Sequence, residues 1–483
     1  MKKKITKKSK PIRAKKNTSL LKTFSVINPI NQGTIGELKI FTSKMVEDKI
    51  HLASEAQKIW SKKSIQERGR ELTLLRKYIS KNREELISKI CEETGKTRMD
   101  ALMEIFTVCD AIKYVVKNTP KILRKQKKNT GLFFYKSAYI THHPFGVVGV
   151  ISSWNYPLVL SLLPSVYALI TGNTVVVKPS LNSSFTTLKI SEYFHKAGLQ
   201  NGIFQVVVGG AETGESIVTS LNTKMISFNG STETGKKIAE ECSKLLKPYL
   251  LELDGKDAMI VFKDADLLRA AKACIWGGYF NTGQTCNSIE RVYVHKEVLN
   301  EFIHYLKEEY KKIKEVYGRE YSFIGSMTTV DQKNIVLEQF KDAKDKKAYF
   351  IEGGVSSKGL YIEPAIIINA NHKMKIMQES TFGPAIAIME FHSDEEVIRL
   401  VNETKYGLGA SIFSSNLSHS KKIAERLEVG SVSINDVLSN YLISDLPFGG
   451  FKESGIGRVH GKEGILAFTQ TQAISYNKSF WNI

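Results

Sequence analysis

Between residues 45 and 117 the apolar positions recur at helical spacing. Leu72, Leu75, Ile79, Leu86, Ile87 and Ile90 fall three or four apart or side by side, the stripe of successive amphipathic helices that turn one face to a core. From residue 145 the pattern changes. Short β-branched runs, VVGVIS (147–152), TVVVK (174–178), IFQVVV (203–208) and MISFNG (225–230), alternate with helical segments. Strands that are apolar throughout are buried on both faces, so these runs predict a parallel sheet covered by helices. A second series, AMIVF (258–262), RVYV (291–294), IIIN (366–369), AIAIMEF (385–391), ASIFSS (410–415) and SVSIN (431–435), predicts a separate α/β domain. GLFFYKSAYIT (131–141) and FTQTQAISY (468–476) read as strands with no place in either sheet. They predict a β arm used for oligomerisation, with edge strands of either domain as the alternative.

The chain's 483 residues exceed what one hydrophobic core organises, which agrees with two α/β domains. No charge interrupts Phe145 to Val177, but Ser, Asn, Gly and Pro break the stretch well short of the roughly 20 apolar residues that a membrane span needs. A net charge of +20 would suggest a nucleic-acid partner, except that residues 1–22 hold ten Lys or Arg and no acid. That leaves about +10 on a body of ordinary composition and excludes a specific nucleic-acid reading. The tail lacks the apolar region of a secretory signal and the arginines of a transit peptide. It reads as a disordered basic arm, and, as a second reading, as a weak electrostatic contact with an anionic membrane.

The five cysteines, Cys91, Cys109, Cys242, Cys274 and Cys286, are odd in number and widely spaced. They suggest neither a disulfide framework nor a metal knuckle, and they fit a reducing cytoplasm. The pair His142-His143 lacks the spacing of metal ligands on one helix face, so no metal site is expected. Cys286 stands in FNTGQTCNSIERVYV, between a helix and a strand; taken alone it is as easily a small buried apolar residue. Three other segments change its meaning. ISSWNYPL (151–158) offers Asn155 at a strand exit, LLELDGKD (250–257) puts Glu252 at a strand end, and PFGGFKESGIGR (447–458) is a glycine-rich segment that reads as a mobile loop. With GQTC, and in this order, they resemble the aldehyde dehydrogenase superfamily from about Asn28-Pro29 to Tyr476.

The resemblance implies an α/β, aldehyde-dehydrogenase-like fold with two α/β domains and parallel-type sheets. Residues 23–130 with 145–252 would bind the dinucleotide, 253–446 would carry the nucleophile, and 131–144 with 465–483 would form the arm of a homodimer or homotetramer. Residues 447–464 would be the active-site loop region. By the same resemblance Cys286 is the nucleophile, Asn155 the oxyanion donor beside the Cys286 backbone N–H, and Glu252 the base that activates water. A thiol needs only modest activation to attack an aldehyde, and the alkoxide that forms needs hydrogen-bond donors. NAD or NADP is the implied hydride acceptor. SFNGSTETGKKIAEE (227–241) places Gly230, Ser231 and Gly235 at a strand-to-helix turn suited to a pyrophosphate. Lys178 would hold the adenosine ribose, Trp154 would line the cleft, and Glu379 and Phe382 complete the cofactor set.

Three positions depart from the family pattern: Leu181 and Ser380 stand where a Glu is usual, and Asp254 where a Gly is usual. Asp254 is expected to need a small backbone adjustment if the site requires positive φ. Tyr156, Leu160 and Leu163 predict an apolar entrance, hence an aliphatic or aromatic aldehyde. The alternatives are a succinate-semialdehyde type, a coenzyme A-acylating type, and a non-catalytic binding protein on the same fold.

Overall fold

The structure is a computed structural model that describes residues 22–316, 323–354 and 357–478. The basic tail, apart from Lys22, lies outside them. The helical stretch resolves into Ser43–Trp60, Ile65–Lys81, Arg83–Thr94 and Arg98–Ile122. Local chemistry sets their starts: Ser64 with Glu67, and Thr97 with Asp100, form capping boxes that satisfy free N-terminal amides. Gly69 lies inside the second helix, where a Cβ would come within 3.2 Å of Val116 Cγ1, so the small residue lets two helices approach.

The first sheet runs Phe204–Val206, Thr174–Lys178, Val147–Ile151, Thr223–Asn229 and Tyr249–Glu252, all parallel, and ends on the short antiparallel strand Gly455–Ile456. Val147–Ile151 is central because the chain builds outward from it to one side, then returns to its other side with Thr223–Asn229. That reversal opens a crevice at the carboxyl ends of the two strands. The residues that follow them are Trp154 and Asn155 on one side, Gly230 and Ser231 on the other. Helix Pro157–Ile170, started by a proline at its first position, is buried along its whole length against this sheet's helical layer.

The second sheet runs Tyr349–Glu352, Ala365–Ile368, Ala385–Phe391, Ile289–His295, Asp257–Val261, Gly409–Phe413 and Ser431–Ile434, parallel except for the first strand. Its amino ends face the carboxyl ends of the first sheet. Cys286, Phe382, Lys256 and Leu408 each stand one to three residues ahead of a strand of this sheet. The site is the seam between two sheets.

The two unplaced runs do pair, with Lys136–Pro144 central between Gln126–Lys128 and Thr469–Asn477 in a separate antiparallel sheet. The strand begins at Lys136 rather than at 131, because Asn129 to Tyr135 form a hydrogen-bonded turn around Gly131, whose φ is +55°. Residues 126–128, assigned above to the dinucleotide domain, belong to this arm. Among the elements that escaped the sequence reading are the hairpin Thr23–Ile27 with Thr34–Lys39 and the antiparallel edge strand Tyr349–Glu352. Among the described residues no helix is long and apolar enough to cross a membrane.

Candidate active site

A cavity of about 880 Å³ occupies the seam, and Asn155, Glu252 and Cys286 all line it. The approach to Cys286 is an unusual piece of backbone. Asn281, Thr282 and Gly283 carry φ of 52°, 59° and 69°, three left-handed residues in succession. Such strain persists only where the surroundings over-determine it. Asn281 donates through Nδ2 to the Asn155 and Gln284 carbonyls at 3.2 and 3.0 Å, and Gly325 N donates to Thr282 Oγ1 at 3.1 Å. A Cβ on Gly283 would lie 2.2 Å from the Gly383 carbonyl oxygen, so only glycine fits.

Glu252 ends its strand with one carboxylate oxygen accepting from Asn229 Nδ2 and the other buried without a partner. Burial pushes this carboxyl up to about 7, against the opposing pull of the Asn229 bond. Burial also raises the Cys286 thiol, and the nearby Glu252 and Asp257 carboxylates add to it. The segments carrying Glu252 and Cys286 nearly touch: a Cβ on Gly255 would fall 2.3 Å from the Cys286 carbonyl oxygen. Asn155 is buried and gives one amide N–H to the Gln284 carbonyl at 3.1 Å. An amide has two such hydrogens, which leaves one for the cavity.

The glycine-rich segment read as mobile is instead knitted into the sheets. Gly455–Ile456 pairs antiparallel with Glu252 and Leu251, Phe451–Lys452 pairs with Tyr406–Gly407, and Leu253 N donates to the Ser454 carbonyl at 3.0 Å. Its glycines serve close approach, since a Cβ on Gly455 would meet the Leu251 carbonyl oxygen at 2.3 Å.

The cofactor candidates divide. Trp154, Gly230, Ser231, Glu379, Ser380 and Phe382 line the cavity. Trp154 and Phe382 meet edge to face, ring centres 5.6 Å apart, and Ser231 caps helix Thr232–Lys244 at the crevice. A capped helix start beside a glycine, next to an aromatic pair, fits a dinucleotide with its phosphates at the helix and its ring by the aromatics. Lys178 and Gly235 do not line this cavity. Lys178 Nζ is spent on the Pro179 and Gly209 carbonyls, both at 3.1 Å, and burial brings it down to about 8. Gly235 sits a turn into the helix, where a Cβ would strike Leu253 Cδ2 at 2.5 Å, so its smallness lets the helix pack on Leu253. Asp254 does not adopt positive φ, so the expected backbone adjustment is unnecessary. Its carboxylate accepts from Thr232 N at 2.8 Å at the start of that same helix.

The aldehyde dehydrogenase family's sequence model matches residues 15–474. The chain belongs to the aldehyde dehydrogenase family. It is 35% identical over 460 residues to the 4,4'-diapolycopene aldehyde oxidase of a Methylomonas species, covering 95% of this chain and 86% of that protein. It is 30% identical to the betaine aldehyde dehydrogenase of Vibrio vulnificus, with 94% of each chain covered. Among solved structures, the NAD-dependent aldehyde dehydrogenase of Sinorhizobium meliloti superposes with a TM-score of 0.91 at 29% identity, covering 96% of this chain and 93% of that one. A betaine aldehyde dehydrogenase point mutant of Staphylococcus aureus in complex with NAD+ gives 0.89 at 30% identity, covering 96% and 95%. This aldehyde dehydrogenase is therefore an NAD(P)-dependent oxidoreductase of the class that converts aldehydes to acids.

The sequence reading missed the charges that hold this dehydrogenase's site in place. Lys96 and Glu104 form a fully buried ion pair at 2.7 Å; Lys96 also donates to the Asn155 carbonyl at 2.7 Å, and Glu104 accepts from Leu158 N and Val159 N at 3.0 and 3.2 Å. Lys256, buried, pairs with Glu290 at 2.5 Å, and Glu290 accepts from Thr381 N and Phe382 N at 3.0 and 2.9 Å, fixing Phe382 at a φ of 49°. A signal existed. Asp100 and Glu104 occupy positions that the apolar stripe of their helix, continuing through Val108 and Ile112, assigns to the core.

Proposed function

We propose that this enzyme oxidises apolar, long-chain aldehydes to free acids, with Cys286 as nucleophile, Glu252 as base and Asn155 as oxyanion donor. The observation that carries the chemistry is the Glu252 carboxyl, buried, half-unpartnered and held near 7, in the same cavity as Cys286. A base poised near neutrality can accept a proton from the thiol or from water and release it again. Cys286 Sγ bonds the aldehyde carbon; the carbonyl oxygen becomes an alkoxide that takes a hydrogen bond from Asn155 Nδ2. Nicotinamide, when bound, supplies the hydride acceptor. Glu252 then draws a proton from water as its oxygen attacks the Cys286 thioester, and the acid leaves with the thiol restored. Lys96 and Glu104 position Asn155, while Lys256 and Glu290 position Phe382 beside Trp154.

The wall of the cavity supports an apolar substrate. Met103, Tyr156, Leu160, Trp276, Leu438 and Leu442 line it; Leu163, expected there, is buried behind. Leu102 and Phe106, beside the lining Met103 and Thr107 in sequence, and Ile443 and Leu446, just past the lining Leu442, are exposed apolar residues. Their segments are tied together, since Tyr114 donates to Asp445 and Ser444 to Asp110 at 2.5 and 2.8 Å. A collar of this kind suits a chain longer than the cavity. The Methylomonas relative named for 4,4'-diapolycopene aldehyde agrees with that reading. A relative in Mycolicibacterium smegmatis is named for succinate semialdehyde and NADP(+), at 36% identity. Of the three lysines lining this cavity, Lys236 pairs with Glu453 at 2.7 Å and Lys375 with Glu338, while Lys405 stands 4.0 Å from Glu453 and over the Tyr406 ring, so two of the three are already committed to a carboxylate.

Residues 23–125 with 145–252 form the dinucleotide-binding unit in this reading, 253–446 the catalytic unit, and the antiparallel arm, Gln126–Lys128 included, the contact of a homodimer or homotetramer. The enzyme works in the cytoplasm, where its five free cysteines stay reduced. A panel of decanal, benzaldehyde, betaine aldehyde and succinate semialdehyde, each with NAD and with NADP, tests the substrate class. Decanal is expected to give the highest kcat/KM; a preference for succinate semialdehyde would overturn the apolar assignment.

A further inference from the structure

Strands Thr223–Asn229 and Tyr249–Glu252 are parallel neighbours, and both end at the cavity with Asn229 paired opposite Glu252. Side chains at paired positions of adjacent strands lie on one face of the sheet, so an amide and a carboxylate are set side by side. The backbone holds that register, because Gly230 N donates to the Glu252 carbonyl at 3.1 Å. Burying an amide is costly unless its polar atoms are used. Asn229 is buried, and its Nδ2 donates to Oε2 of Glu252. Among the described residues no other group is hydrogen-bonded to that carboxylate, and Oε1 has no partner.

The kind of donor matters. A Lys or Arg in this place would hold the carboxyl ionised and weakly basic, whereas no donor at all would leave its two oxygens equivalent and the group free to turn. A neutral amide does neither. We propose that Asn229 is the positioning residue of the base: its amide fixes Oε2 of Glu252 and keeps Oε1 as the oxygen that takes the proton of the attacking water. This rests on Glu252 being the base of thioester hydrolysis. The Asn229 bond also draws the carboxyl down against burial, which together leave it at about 7; without the bond it rises further. Asn229 itself does not titrate. The groups that feel the Glu252 charge are Cys286, which carries the acyl group at this stage, and Tyr441 in the short helix Ser439–Leu442, whose hydroxyl burial keeps protonated. Of the cavity's other charged groups, Asp254 is engaged by Thr232 N, and Lys405 stands 4.0 Å from Glu453.

The test follows nicotinamide absorbance from pH 5 to 10 for the full-length parent, Asn229→Leu and Glu252→Gln, with decanal or whichever aldehyde of the panel the parent turns over fastest. Leu has the branched shape of Asn and donates nothing. Asn229→Leu is expected to keep the burst of about one equivalent per site, and the KM for the cofactor within about twofold. Its kcat at pH 7 is expected to fall about ten- to a hundredfold. The midpoint of the profile is expected to move up by about one unit or more, the loss of a hydrogen bond to an ionised group. Above the new midpoint the plateau is expected to stay several-fold below the parent's, because an unclamped carboxylate is ionised but misaimed. Asn229→Asp, of the same shape, sets a second carboxyl beside Glu252, and its midpoint is expected to move higher still. It reads the same contact if the Leu variant does not fold. An unmoved midpoint in these variants would make Asn229 a packing residue and overturn the proposal. A plateau equal to the parent's at high pH would overturn the positioning role and leave Asn229 only a setter of basicity. Glu252→Gln turning over like the parent would instead remove Glu252 as the base, whereas a slow Glu252→Gln beside an unaffected Asn229→Leu would count against Asn229 alone.

Discussion

Leu181 stands in the short helix Leu181–Ser183 that follows Lys178, packed against the core rather than offering a carboxylate. A Glu there would bond the adenosine ribose of NAD and repel the 2′-phosphate of NADP. With Leu neither effect operates, and Lys178, three residues earlier, supplies a cation and no repulsion on this stretch. NADP is therefore expected to be used at least comparably to NAD. Leu181→Glu is expected to shift the ratio of kcat/KM values towards NAD by roughly tenfold, which a repulsion of ~1.4 kcal/mol supplies. A parent enzyme a hundredfold or more selective for NAD would contradict this. Glu252 gives a second expectation at the same scale. Its carboxyl acts as a base only when ionised, so kcat limited by hydrolysis should rise with pH through about 7 and level off above it. A profile flat from pH 5 to 9 would remove Glu252 from the rate-limiting step.

At the scale of elements, the catalytic strands and their order of use were legible because Asn155 and Cys286 sit next to β-branched runs and Glu252 closes a short apolar one. Cys286 precedes Ile289–His295, and Glu252 ends Tyr249–Glu252. The turn at Asn129–Tyr135 was less legible, since GLFFY alternates no polar residues and imitates a strand. The left-handed run Asn281–Gly283 left no trace in the sequence apart from its glycine, because Asn and Thr adopt positive φ only when their neighbours require it. The supporting ion pairs, Lys96 with Glu104 and Lys256 with Glu290, were hidden by the ordinary rule that charges lie outside. Gly255 illustrates a contact that spacing alone cannot show. Gly255→Ala pushes a methyl into the Cys286 carbonyl, and displacing the nucleophile by about 1 Å is expected to lower kcat about a hundredfold. Dinucleotide affinity should change far less; an Ala variant with unaltered kcat would mean that the two segments separate freely.

The whole molecule is two sheets set end to end, carboxyl ends against amino ends, with the chemistry at their seam and the arm apart from it. In the proposed mechanism an acyl group held on Cys286 is released by water that Glu252 activates. The most direct measurement is the pre-steady-state absorbance of reduced nicotinamide after mixing enzyme, cofactor and decanal, for the parent, for Glu252→Gln and for Cys286→Ala as the blank. Glu252→Gln is expected to retain a burst of about one equivalent per site, followed by turnover slowed about 10²- to 10⁴-fold, without help from coenzyme A. Steady turnover by Glu252→Gln equal to the parent, or a parent that turns over only when coenzyme A is present, would contradict it.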